Sequence, residues 1–178
     1  MALKATVFKA NISLSDMDRN VYLDETLTVA QHPSETDERM MLRILAWTLN
    51  AVEGLEFTKG LSADDEPEVW KKNYSDEIEL WIELGCPDEK RLRKASSRAQ
   101  QVILYAYGDR AAPIWFEQTK SKLTRFNNLQ VFSIPDAVME GLAEMTERTM
   151  QLQVTIQDGT AWVNSGDKTV EITPDNWM

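Results

Sequence analysis

Residues 78–84, Ile-Glu-Leu-Trp-Ile-Glu-Leu, alternate without a break between aliphatic side chains and others. Successive side chains of an extended chain point to opposite faces. This segment is therefore predicted to be a strand, with Ile78, Leu80, Ile82 and Leu84 on one side and Glu79, Trp81 and Glu83 on the other. Pro87-Asp88 opens a helix that runs to about Arg98, and Val102-Ile-Leu-Tyr-Ala-Tyr107 reads as a buried strand closed by Gly108. A helix over Ala111–Ser121, a strand over Leu129–Ile134 and a helix over Pro135–Glu147 continue the alternation.

Hairpins flank this core. Residues 4–14 and 21–29 alternate around the polar turn Ser15–Asn20. Near the other end, Val154–Val163 folds back at Asp158-Gly159, and Thr169–Thr173 offers a last strand. Between hairpin and core, Ser34 is placed to cap a helix whose positive end is favoured by Glu35, Asp37 and Glu38. Met41, Ile44, Leu45, Thr48 and Val52 give that helix one buried face, and Gly54 ends it. A short strand at Leu55–Thr58 and a loop over Lys59–Tyr74 follow. The expected class is α/β (α+β), a mixed central β-sheet flanked by helices with hairpins at both ends. The 178 residues fit one domain spanning 1–178.

The formal net charge is −10, but it is unevenly placed. Residues 35–89 carry fifteen acids and five bases, whereas residues 90–125 carry nine bases and two acids, a local charge of +7. An acidic whole argues against nonspecific nucleic-acid binding, while the basic segment 90–125 offers a local face for such a partner. One cysteine, Cys86, permits no intramolecular disulfide, which fits a reducing, cytoplasmic setting. No apolar run approaches the ~18 residues of a membrane span, so no membrane partner is expected.

The seven glycines form neither a Walker A loop nor a dinucleotide fingerprint. One histidine, His32, and one cysteine cannot build a structural zinc site. Acids remain. Glu38 borders the buried face of the first helix, Asp64, Asp65 and Glu66 follow the short strand, and Glu83 shares a strand face with Glu79 about 13 Å away at ~3.3 Å per residue. If the helix crosses the strand pair, Glu38, Asp65 and Glu83 converge. Clustered carboxylates raise one another's pKa, which a hard cation such as Mg²⁺ or Mn²⁺ relieves. Solvated surface acids are the plainer reading of the same residues.

Several segments resemble the bacterial YaeQ family: Met1–Thr6, His32-Pro-Ser-Glu-Thr36, Glu38-Arg-Met-Met-Leu-Arg43, Ala63–Glu68, Leu80-Trp-Ile-Glu-Leu-Gly85, Arg148-Thr-Met150 and Thr155–Gly159. They occur in order over essentially the whole chain. The resemblance implies a fold like that of the PD-(D/E)XK nuclease superfamily. Such sites have a helical acid, an aspartate, and D/E-x-K on the next strand. The resemblance places these roles on Glu38, on Asp65 with Asp64 and Glu66 as rivals, and on Glu83, with Mg²⁺ or Mn²⁺ as the ion. The pattern breaks two residues after Glu83, where Gly85 stands in place of lysine. Lys94, or else Lys90, on the following helix is the candidate replacement. Two readings follow. One is a Mg²⁺-dependent nuclease-like phosphodiesterase fed by segment 90–125. The other is a non-catalytic module of the same fold that binds protein or nucleic acid.

Overall fold

The computed structural model describes residues 4–59 and 65–178. The chain forms two compact units, residues 1–51 with 137–174, and residues 52–136 with 175–178.

The first unit is built on a five-stranded mixed sheet. Strands β1 (Thr6–Asp16) and β2 (Val21–Gln31) form the N-terminal hairpin, Thr6 opposite Gln31 and Asp16 opposite Val21. Strand β8 (Thr149–Gln157) lies parallel to β1, and β9 (Thr160–Ser165) and β10 (Lys168–Ile172) follow it antiparallel. Asp158 and Gly159 both have positive φ, 53° and 77°, as a two-residue type I′ turn demands. Asp18, in the turn of the first hairpin, accepts hydrogen bonds from both their amides at 2.7 and 2.8 Å, so the two hairpin ends are tied together.

Helix α1 (Asp37–Leu49) starts later than its sequence suggests. Thr36, not Ser34, is the cap, its Oγ1 accepting from the Arg39 amide at 3.2 Å. Ser34 instead closes a turn on His32, donating its amide to Nδ1 at 3.1 Å. The helix ends at Asn50, before Gly54, and Val52 is exposed outside it. Every residue from Met40 to Thr48 is buried, so the helix is enclosed rather than half-exposed. That enclosure takes in Arg43, whose guanidinium meets buried Glu35 at 2.5 and 2.9 Å. Glu35 therefore serves as a buried counter-charge and not as a helix-dipole acid. Helix α4 (Asp136–Ala143) is shorter than the expected 135–147, and β8 begins soon after it.

The second unit carries a six-stranded sheet in the order β11-β7-β6-β5-β4-β3. Strands β3 (Leu55–Phe57), β4 (Val69–Lys72) and β5 (Ile78–Leu84) form an antiparallel meander. Strand β4 falls inside the segment expected to be loop. Its four residues, Val-Trp-Lys-Lys, are too few and too charged to show a period. From β5 the chain turns parallel through β6 (Ala99–Tyr107) and β7 (Leu129–Ile134), crossing by helices α2 (Glu89–Arg98) and α3 (Ala111–Leu123). The short β11 (Asp175–Asn176) returns antiparallel on β7. Trp81, Val102, Leu104, Leu129 and Val131 form one core with Leu92, Ala95 and Leu123 of the helices. Trp81 and Glu83 share a strand face, so this packing directs Glu83 toward α2.

Candidate functional site

The site is built around α2. Its cap, Asp88, accepts the Arg91 amide on Oδ1 at 2.8 Å, which fixes the first turn and the direction of the Arg91 side chain. Arg91 reaches back to β5, where Nε donates to Glu83 Oε2 at 2.7 Å and Nη2 to Oε1 at 2.8 Å. The indole of Trp81 donates to the same Oε1 at 3.0 Å. Glu83 is 3% exposed. Burial pushes its carboxyl above the usual glutamate value, and the charge of Glu68 adds to that. Arg91 and Trp81 pull the other way without overcoming the loss of water.

Arg91 also donates from Nη2 to the Glu66 carbonyl at 2.8 Å, and Arg98 Nη1 donates to the Asp65 carbonyl at 2.8 Å. Lys94, one turn beyond Arg91, pairs with the Asp65 carboxylate. That hydrogen bond and charge hold the Asp65 carboxyl below the usual aspartate value. Three cations of one helix thus hold down the 65–66 turn and the strand acid together. Arg98 lies 5.5 Å from the centre of the Trp81 ring, covering the indole that binds Glu83.

Of the residues singled out in the sequence, Asp65, Glu83 and Lys94 therefore meet at α2. Glu38 lies half-buried in the first turn of α1, in the other unit. Glu66 offers its side chain to the Lys59 amide at 3.3 Å. Asp64 lies outside the described residues. Lys90 lines the exposed groove of α2 with Asp88, Arg91, Arg93, Lys94 and Ser97. Sequence reasoning missed Arg91, which is central. Its signal was present as the fourth residue of an Asp-Glu-Lys-Arg cap sequence, but what it reaches depends on the packing of α2 over β5. Glu79 pairs with Lys71 and takes no part.

A divalent cation does not fit these acids as they stand. Glu83 spends both oxygens on a guanidinium and an indole, and Asp65 is matched to an ammonium. A metal would have to sit where positive charge already is. Among the described residues, no group of three or more His, Cys, Asp or Glu side chains is placed to hold a metal ion. What the arrangement does is tie strand, turn and helix together while leaving the outer face of α2 basic.

A sequence model of the YaeQ protein matches residues 1–174. The chain belongs to the YaeQ family. A relative from Salmonella typhi, called "Uncharacterized protein YaeQ", is 52% identical over all of this chain and 98% of its own length. A relative of the same name from Escherichia coli K12 is 50% identical over the same shares. The crystal structure of the YaeQ protein from Xanthomonas axonopodis pv. citri superposes with a TM-score of 0.95 at 42% identity, covering 98% of each chain. That of the Pseudomonas syringae YaeQ protein gives 0.93 at 35%, covering 98% of this chain and 96% of the other. The two-sheet α+β architecture is thus a YaeQ family fold. No helix among the described residues is long and apolar enough to cross a membrane.

Proposed function

We propose that this YaeQ family chain is a non-catalytic module of nuclease-like fold that binds nucleic acid through the basic segment 90–125. The observation that carries this reading is the closed pair of Arg91 with Glu83, which turns the strand acid into an internal anion. Gly85 supports it. Its φ of +93° is a conformation glycine accepts and lysine resists, so the backbone is unsuited to the residue a nuclease carries there. A mixed sheet flanked by helices, with an acid on β5, supports the likeness to the PD-(D/E)XK superfamily. The local charge of +7 supports an anionic partner, and the lone cysteine supports a reducing, cytoplasmic setting.

One observation favours a second reading, a Mg²⁺- or Mn²⁺-dependent phosphodiesterase. Lys94, the candidate for the missing lysine, does reach Asp65. This reading requires Arg91 to release Glu83. Incubating the full chain with end-labelled nucleic acid and millimolar Mg²⁺ or Mn²⁺ separates the two. The expected result is salt-dependent binding with intact strands and a melting temperature indifferent to the cations. Cleavage that Glu83→Gln abolishes, together with a cation-induced rise in melting temperature, would establish the second reading. Absence of binding at low salt would remove the first.

A further inference from the structure

Two helices of the second unit share one acid. Glu89, in the first turn of α2, pairs with Arg125 just beyond α3, and Arg93 Nη1 lies 3.9 Å from its other oxygen. The Glu89 side chain is 18% exposed, whereas those of Arg93 and Arg125 are 56% and 57% exposed. One largely covered negative charge thus anchors two positive ones that face water. Lys90 of α2 and Lys122 of α3 are exposed as well.

Aromatic rings stand on the elements next to these cations, and one of them, Phe126, borders Arg125. Trp115 of α3 donates its indole N–H to the Pro87 carbonyl at 2.7 Å, which sets it beside the start of α2. Phe116 follows, its ring 6.3 Å from that of Trp115 and 5.0 Å from that of Trp177. Arg125 lies 5.2 Å from the centre of the Phe126 ring. Trp115, Phe116, Phe126 and Trp177 rest on the core but are each only partly buried. Both indole N–H groups are used within the protein, Trp177 donating to Asp175 at 3.1 Å, so what these residues offer a ligand is ring surface.

Exposed cations and partly open rings on neighbouring elements suit a strand whose phosphates and base faces are both accessible. A duplex offers the phosphates but keeps its base faces stacked inside. Building on the nucleic-acid reading above, we infer that the surface formed by α2, α3 and the C-terminal Trp177 binds single-stranded nucleic acid, phosphates on Arg93 and Arg125 and bases against Trp115, Phe116 and Trp177.

Fluorescence anisotropy on the full chain tests this with three probes of equal length: an oligothymidylate, an abasic strand and a duplex. The abasic strand keeps the charge and lacks the rings. The oligothymidylate is expected to bind at least about fivefold more tightly than either, the low end for one stacked base. The double variant Arg93→Gln/Arg125→Gln is expected to weaken binding of all three probes and flatten the salt dependence. Equal affinity for the three would overturn the single-strand inference and leave the nucleic-acid reading intact. Binding that the double variant leaves unchanged would overturn this surface as the site. Absence of binding to any probe at low salt would overturn both. The probe comparison uses the unaltered protein, so it stands whether or not the variant folds.

Discussion

Arg91 holds Glu83 through two hydrogen bonds, 2.7 Å from Nε to Oε2 and 2.8 Å from Nη2 to Oε1, and spans a helix and a strand in doing so. The Glu83 side chain is 4% exposed and that of Arg91 is 30% exposed. Replacing the arginine strands a buried anion, whereas replacing the acid leaves a cation that can turn to water. The two residues are therefore unequal in what their loss costs.

Arg91→Met is expected to lower stability by about 3 kcal/mol, the low end for breaking a buried pair, because the arginine is not fully enclosed. Adding Glu83→Gln should recover part of that loss by removing the stranded charge. Urea denaturation of wild type, both single variants and the double variant measures the coupling. Additive losses would mean that the two side chains do not support one another.

The two acids at α2 should titrate in opposite directions from their ordinary values. Burial raises Glu83 above 4.5, and Lys94 lowers Asp65 below 3.8. For Glu83 the native state holds the proton more tightly than the unfolded chain does. Its contribution to stability is full below 4.5 and is lost as pH rises through the folded value. For Asp65 the contribution is present above 3.8 and is lost as pH falls through its lower folded value. Side-chain carbon NMR reads both midpoints. A Glu83 midpoint at or below 4.5 would mean that Arg91 outweighs burial.

Gly85→Lys places a lysine two residues after Glu83, as the nuclease pattern has it, and is not expected to confer cleavage. With φ at +93°, a side chain there costs roughly 1–2 kcal/mol in backbone strain. A Cβ would meet the Tyr107 ring only at ordinary contact, 3.7 Å, so the cost is conformational rather than steric. The variant is expected to melt lower and to leave nucleic acid uncut in Mg²⁺. Cation-dependent cleavage by Gly85→Lys would count against the binding-module reading.

In the first unit, Gly141 of α4 lies under Val170 of β10. An added Cβ would come within 2.8 Å of Val170 Cγ2, and valine's branched side chain has little freedom to move aside. Gly141→Ala is therefore expected to destabilise by about 1 kcal/mol despite the better helix propensity of alanine. In a Val170→Ala background the same change should become neutral or favourable. Thermal melts of the four proteins decide it, and an unchanged penalty in that background would place the cost elsewhere.

Much of the architecture was legible along the chain. The strict alternation of residues 78–84 marked β5 to its end residues, because a half-turn repeat over seven positions has no helical equivalent. Asp158-Gly159 named its own turn, since few residue pairs accept two positive φ values. Asp88 named the start of α2 for the same kind of local reason. Strand β4 was not legible, for its four residues carry two lysines and owe their conformation to pairing between β3 and β5. The Thr36 cap was displaced from Ser34 because Glu35 is drawn inward by Arg43, eight residues along the chain.

The candidate site divides in the same way. The sequence by itself determined which carboxylates and cations exist, that Glu83 and Trp81 share a face, and that a basic helix follows directly. Only the tertiary structure decided that Arg91 and Lys94 are the residues that meet Glu83 and Asp65. It also decided that Arg93 and Arg125 share Glu89, and that Trp115, Phe116, Phe126 and Trp177 are left only partly buried against the core. Local geometry is written in neighbouring residues, because φ, ψ and side-chain direction follow from a few adjacent positions. Charge pairing between elements depends on how α2 settles on β5 and α3, and that is set by Trp81, Leu92, Ala95 and Leu123 packing into one core.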